Sequence, residues 1–208
     1  AYAAAAERLK AMGVLYPCFA TRAEIASAAR GTGWDPDGAP LYPGLWRHAP
    51  AAAIAERRVK GARFAWRLDM ARAMAAVRPG LAGAELAFTE LDEAGASRTI
   101  PARPERWGDA IIVRKDVASS YHLAVVVDDA WQGVTHVTRG ADLLAATDLH
   151  RLLQRLLDLP APLYHHHRLI TDACGRKLAK SAGDTSLREL RRQGLTPADV
   201  RQLVGLVP

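Results

Sequence analysis

Two cysteines in 208 residues, Cys18 and Cys174, are too few for a disulfide framework. No apolar run approaches the roughly 20 residues that a membrane-spanning helix needs. The first residues, Ala1 to Lys10, lack the charged start and apolar centre of a secretory leader. No internal repeat occurs, and the only biased tracts are alanine-rich helical ones, so a repeat architecture is excluded. These absences predict a protein of the cytoplasm. Half of the residues are hydrophobic, enough for a sizeable core. The length suits one ample domain, or one domain with a small insertion.

The net charge is +6 and it is unevenly placed. Between Arg176 and Arg201 seven basic residues meet only three acids. Such asymmetry suits a polyanionic partner, although a solvated basic helix face has the same composition.

Ala1 to Met12 reads as a helix with Leu9 and Met12 on one face and Gly13 as its stop. Val14 to Phe19 is a short apolar run. Thr21-Arg22-Ala23-Glu24 is a capping box that opens a helix to about Ala29. Gly31 to Pro50 holds four glycines and four prolines and reads as a loop. Arg58 to Leu68 and Glu85 to Leu91 read as strands, the first because Phe64, Trp66 and Leu68 alternate. Met70 to Val77 is a short helix or turn, and Asp92 to Gly95 a turn. Ala110 to Val113 and Val134 to Thr138 read as strands. Leu123 to Val127 is almost purely apolar and reads as a parallel strand buried on both faces. Asp142 to Leu157 is a helix, with leucines at 149, 152, 153, 156 and 157, and Leu163 to Ile170 is a further strand. That order predicts a right-handed crossover in the second half of a nucleotide-binding α/β sheet. Ser186-Leu187-Arg188-Glu189 and Thr196-Pro197-Ala198-Asp199 open two last helices.

Several residues carry possible chemistry. Lys177 and Lys180 stand three apart after a turn built on Asp172, Cys174 and Gly175. Two ammonium groups on such a loop suit a polyphosphate, and equally a plain basic surface turn. Arg139 sits at a strand end before Gly140, where sheets of this kind bind ligands, and its guanidinium can fork onto a carboxylate. Tyr121 offers a phenolic hydroxyl before the apolar run. The bland alternatives are a surface charge and a strand-edge aromatic. Asp128 and Asp129 suggest a paired-carboxylate site for magnesium or a shared proton, but neighbours in a strand point apart. His165, His166 and His167 suggest a metal, yet only two of three share a strand face, so packing and hydrogen bonding are expected.

Three ordered blocks carry a family resemblance. Lys177-Leu178-Ala179-Lys180-Ser181 resembles the KMSKS signature loop of class I aminoacyl-tRNA synthetases. Tyr164-His165-His166-His167-Arg168-Leu169-Ile170 resembles the strand that leads into that loop in the glutamate-specific group. The segments from Ser120 to Asp129 and from Gln132 to Gly140 match the same group. The likeness runs over nearly the whole chain, most closely from Trp107 to Arg201, and is nearest to the glutamyl-Q tRNA(Asp) synthetase family.

The resemblance implies the second half of a class I synthetase Rossmann-like parallel sheet, an inserted α+β subdomain and C-terminal helices. Residues 1–106 would hold a helix, a degenerate zinc-knuckle-like region and the insertion that meets a tRNA arm, where Arg57, Arg58, Lys60, Arg63 and Arg67 could touch phosphates. Residues 107–208 would hold the half-sheet, the signature loop and the last helices. The implied reaction activates L-glutamate with ATP and Mg2+ and transfers it to the queuosine of tRNA(Asp), in a monomeric cytoplasmic ligase. Lys180 and Lys177 would be catalytic contacts to ATP, with Ser181 beside them and the backbone of Leu169 and Ile170 at the adenine. Tyr121 and Arg139 would bind the glutamate.

Three departures from the family pattern matter. Its zinc knuckle keeps Cys18 and Tyr42 here, but Ala20 and Trp46 stand where cysteines belong. One thiolate and a phenol do not make a four-coordinate zinc site, so zinc is not expected; Phe19, Trp34 and Trp46 are expected to pack in its place. The HIGH-type motif does not occur, so this chain is expected to be inactive alone and to lack its N-terminal part. No anticodon-binding region follows the signature loop, which favours the glutamyl-Q group. A non-catalytic tRNA- or nucleotide-binding module and a fragment of a discriminating glutamyl-tRNA synthetase remain alternatives.

Overall fold

The computed structural model describes residues 1–172, 174–178 and 183–206. The chain forms two compact units, Ala1–His166 and His167–Pro208.

Two sheets lie in the larger unit's part of the chain. The first joins β1 (Leu15–Cys18), β2 (Ala65–Leu68) and β5 (Ile111–Val113) in the order β1-β2-β5, with both pairings antiparallel. The second has four strands: β3 (Ala87–Leu91), β4 (Ser97–Pro101), β6 (His136–Gly140) and β7 (Leu163–His167), ordered β4-β3-β7-β6. Strands β3 and β4 form an antiparallel hairpin whose turn is fixed by Asp92: its Oδ1 accepts from the amides of Ala94 and Ala96. Strand β7 pairs parallel to β3, with Glu90 opposite Tyr164.

Helices cover these sheets. They are α1 (Tyr2–Ala11), α2 (Arg22–Ala28), α3 (Ala51–Val59), α4 (Met70–Val77), α5 (Tyr121–Gln132) and α6 (Ala146–Leu156). Helix α6 supplies Leu149, Leu152, Leu153 and Leu156, all buried on one face at helical spacing. They share a core with Leu9, Leu68, Ile112, Leu123 and Val126. At about 25 cal/mol per Å2 of apolar surface, such a cluster is the main stabilising contribution. The smaller unit carries α7 (Leu187–Arg192) and α8 (Pro197–Leu203).

Capping chemistry reads through from sequence to structure. Thr21 and Glu24 form the reciprocal capping box of α2, and Thr196 and Asp199 that of α8. Ser186 accepts from the Glu189 amide at the start of α7.

Other expectations are corrected. Leu123 to Val127 is not a strand but the middle of α5. Ser120 Oγ accepts from the Leu123 amide at one end, and Gly133 closes the other with φ 67°. Leu123, Val126 and Val127 are its buried residues, the i, i+3, i+4 pattern of a helix face rather than a two-faced strand. Arg58 and Val59 end helix α3, and the alternating strand begins only at Ala65. Strand β6 runs from His136 to Gly140, two residues later than its sequence suggests, and β7 stops at His167 instead of Ile170. Helix α6 starts at Ala146, after a short 3-10 turn over Ala141–Leu143. Strand β4 is an addition; its burial alternates too weakly to mark it. Met12 is exposed and does not share the buried face of Leu9.

Candidate active site

Arg139 lies near the carboxyl end of β6, and three elements converge on it. Its Nε donates to His166 Nε2 of β7 at 3.0 Å. Its Nη2 donates to Thr147 Oγ1 of α6 at 2.6 Å. Its Nη1 lies 3.2 Å from His150 Nδ1 of α6 and 3.5 Å from the Tyr121 hydroxyl, at the first residue of α5. The guanidinium carbon also sits 5.2 Å from the centre of the Tyr164 ring. None of these contacts is a carboxylate. A guanidinium has five N–H donors, so one Nη2 donor remains without a partner among the described residues, and the Tyr121 contact is long. Tyr121 itself is half exposed, with 49% of its surface accessible. Arg139 and Tyr121, singled out from sequence, are therefore brought together.

The surrounding histidines have their tautomers set by their partners. Glu90, buried on β3, accepts from the His166 backbone amide at 2.9 Å and lies 2.8 Å from His166 Nδ1. The proton of His166 therefore belongs on Nδ1, and Nε2 presents a lone pair to Arg139. By the same reasoning His150 accepts at Nδ1, carries its proton on Nε2, and donates that proton to His122 Nδ1 at 3.1 Å. Burial lowers the pKa of His166, against the upward pull of Glu90. Burial and then the charge of Arg139 hold His150 well below the ordinary value, and push His122 down to about 4. The three rings are neutral near pH 7, and Arg139 supplies the positive charge of this cluster. Asp129 of α5 is raised by burial while Arg139 pulls it down. An arginine braced by neutral acceptors keeps its charge for an incoming anion, and its planar fork matches a carboxylate.

The other candidates fall as follows. Asp128 accepts from Tyr2 at 2.9 and 2.8 Å on its two oxygens, which ties α5 to α1. Asp128 is thus a structural anchor, and the expectation that the pair sits in a strand is overturned with α5. His165 Nδ1 lies 2.9 Å from the Leu91 carbonyl. The histidine run does serve hydrogen bonding, through His166 above all. Sequence reading missed Glu90, Thr147, His150 and His122. The one local hint was the spacing of Thr147 and His150, three apart on α6 and turned away from its leucine face.

In the smaller unit, the segment from Ile170 to Leu178 is a tight hairpin. Thr171 bridges to Lys177, and the Leu178 amide donates to the Ile170 carbonyl at 3.1 Å. Asp172 Oδ1 accepts from the amides of Cys174 and Arg176, and Gly175 takes φ 77° at the bend. Arg176 forks onto Asp184. Lys177, Leu169 and Ile170 thus flank one turn. Lys180 and Ser181 lie outside the described residues.

Cys18 Sγ donates to the Tyr42 hydroxyl at 3.3 Å, and the Trp46 amide donates to the same oxygen at 2.9 Å. Ala20 contributes no donor atom to a metal, and the backbone N–H at 46 occupies the phenol oxygen. These residues do not fit a structural zinc ion. Among the described residues no group of three His, Cys, Asp or Glu is placed to hold a metal. Phe19 packs on Trp46 at 4.8 Å and on Phe64 at 4.9 Å. Trp34, expected in this cluster, is 70% exposed instead.

The sequence and the fold are similar to those of known proteins. The family model described as tRNA synthetases class I (E and Q), catalytic domain, matches residues 85–207. The sequence is 41% identical over 217 aligned positions to the glutamyl-Q tRNA(Asp) synthetase of Rhodobacter capsulatus, covering 99% of this chain and 72% of that protein. It is 40% identical over 193 positions to the glutamyl-Q tRNA(Asp) synthetase of Thiobacillus denitrificans, covering 92% of this chain but 56% of that protein. The fold is similar to a glutamate-tRNA synthetase from Elizabethkingia anophelis, with a TM-score of 0.62 at 22% identity, over 93% of this chain and 36% of that one. No helix among the described residues is long and apolar enough to cross a membrane. With a class I α/β fold, and a sequence this close to those relatives along nearly all its length, the chain belongs to the glutamyl-Q tRNA(Asp) synthetase family of class I synthetases.

Proposed function

We propose that this chain is part of a ligase that activates L-glutamate with ATP and transfers the glutamyl group to the queuosine of tRNA(Asp). The observation that carries the reading is the Arg139 cluster: a guanidinium braced by neutral acceptors, with a phenolic hydroxyl beside it. Arg139 and Tyr121 bind the glutamate. Lys180 and Lys177, with Ser181, meet the phosphates of ATP, and the backbone of Leu169 and Ile170 holds its adenine. Mg2+ accompanies ATP as a phosphate counter-ion. Activation joins the glutamate carboxylate to the α-phosphorus and releases pyrophosphate. Most of the protein's work is positioning and charge stabilisation. The HIGH-type motif that completes such a site is not in this sequence, so we assign activity to a polypeptide that also carries it.

Transfer of radiolabelled glutamate to tRNA(Asp), compared between queuosine-containing tRNA and tRNA lacking queuosine, tests this reading. Labelling confined to the first supports it. Labelling of the 3′ end of either tRNA points to a discriminating glutamyl-tRNA synthetase. Tight tRNA binding without labelling points to a binding module.

We also propose that the knuckle works without zinc. Tyr42→Phe removes the shared acceptor of Cys18 and Trp46 and is expected to destabilise the fold by about 1–2 kcal/mol. A chelator is expected to leave the melting temperature of the parent unchanged. One zinc per chain in elemental analysis, or a chelator-sensitive melt, would contradict this.

A further inference from the structure

We propose that Thr147 and the Glu90–His166 pair are positioning residues for substrate binding: they fix the plane and rotamer of Arg139, and Glu90 does so by setting which nitrogen of His166 carries the proton. The inference rests on the assignment of Arg139 to the glutamate site. An arginine has several rotatable bonds, and an unsupported side chain spends little time in any one geometry. Here two of its three nitrogens, Nε and Nη2, are held by His166 Nε2 and Thr147 Oγ1. Two contacts side by side along the Nε–Nη2 edge of the planar group fix its plane and rotamer.

The support is itself held. The side chains of His166 and Glu90 retain 2% and 5% of their exposure, and Thr147 has none. Glu90 uses both carboxylate oxygens on one residue, the backbone amide and the ring of His166. The His166 ring also stacks parallel to Tyr164, with centroids 5.9 Å apart and planes 9° apart. The Thr147 hydroxyl lies 3.2 Å from His166 Nε2 and 3.5 Å from the Leu143 carbonyl, so its own proton has an acceptor. With the proton on Nδ1, His166 accepts from Arg139. With it on Nε2, two N–H groups would oppose each other across 3.0 Å. Glu90 selects the first, because a carboxylate only accepts.

Three substitutions separate positioning from plain structural support. Thr147→Val keeps the shape and removes the acceptor; it is expected to raise the KM for glutamate about tenfold, the loss of one charge-assisted hydrogen bond. The ATP KM and the rate at saturating glutamate should stay within about twofold, since uniform binding is what is lost. Thr147→Ser returns the hydroxyl and should restore the parent KM. Glu90→Gln turns an N–H toward His166 Nδ1 and should move the imidazole proton to Nε2, with a similar rise in glutamate KM. Histidine 15N spectra of the labelled protein read that proton directly. The parent is expected to show the Nδ1–H form for His166 and the Nε2–H form for His150.

A parent His166 protonated at Nε2 would overturn the proposal without any variant being made. So would an unchanged glutamate KM in Thr147→Val, or a rise that Thr147→Ser does not reverse. If Arg139→Ala leaves the glutamate KM unchanged, the assignment of the site itself fails. If Arg139→Ala is severe and Thr147→Val silent, only the positioning inference fails.

Discussion

Arg139→Ala, in the polypeptide that carries the complete site, raises the glutamate KM roughly a hundredfold or more and leaves the ATP KM nearly unchanged. Removing one partner of a desolvated ion pair costs about 3–5 kcal/mol, because the other charge stays behind unpaired. The loss here has a second part. His166 Nε2, His150 Nδ1 and Thr147 Oγ1 all point at the guanidinium, and each would be left facing a void or a water. Arg139→Lys should recover little, since an ammonium on a flexible stem reaches one of these acceptors and not all three. Pyrophosphate exchange at varied glutamate measures the effect. An unchanged KM in the alanine variant would remove Arg139 from the site.

Lys180→Ala slows adenylate formation by roughly a hundredfold, on the order of 3 kcal/mol by analogy with loss of an oxyanion donor, while glutamate affinity stays near the parent value. The physical reason is timing. A lysine on a loop meets the phosphates best as charge builds on departing pyrophosphate, and a contact made only then appears in the rate and not in binding. Lys177 stands on the hairpin arm that bridges back to Thr171, after the bend at Gly175. Lys177→Ala is expected to have the same direction and a smaller size. Exchange at the parent rate in Lys180→Ala would leave the loop a basic surface turn.

How much of this was legible in the sequence differs by element. Caps are local chemistry, so Thr21, Ser186 and Thr196 announced their helices correctly. The leucines of α6 announced their own period. The run Leu123 to Val127 did not, because valines favour strands and an apolar stretch of five has no visible period. The decisive signals were at its ends, Ser120 as N-cap and Gly133 as C-cap, and packing against the core overrode intrinsic preference. The place of Arg139 at a strand end was legible because a cation before a glycine stands out. Its supports were not. Glu90 and His166 are 76 residues apart and meet because β3 and β7 run parallel side by side. Nothing in either neighbourhood marks the pairing. The histidine run drew a metal reading and a dismissal; alternation turns its middle member, His166, toward Arg139.

A crystal structure with L-glutamate, of a polypeptide that carries this chain together with a HIGH-type motif, tests the central claim most directly. One carboxylate of the amino acid is expected within hydrogen-bond distance of the Arg139 guanidinium and of the Tyr121 hydroxyl, with His166 and Thr147 still holding the arginine as they do in its absence. Glutamate bound with Arg139 untouched, or Arg139 turned away from His166 and Thr147 to reach it, would contradict the account.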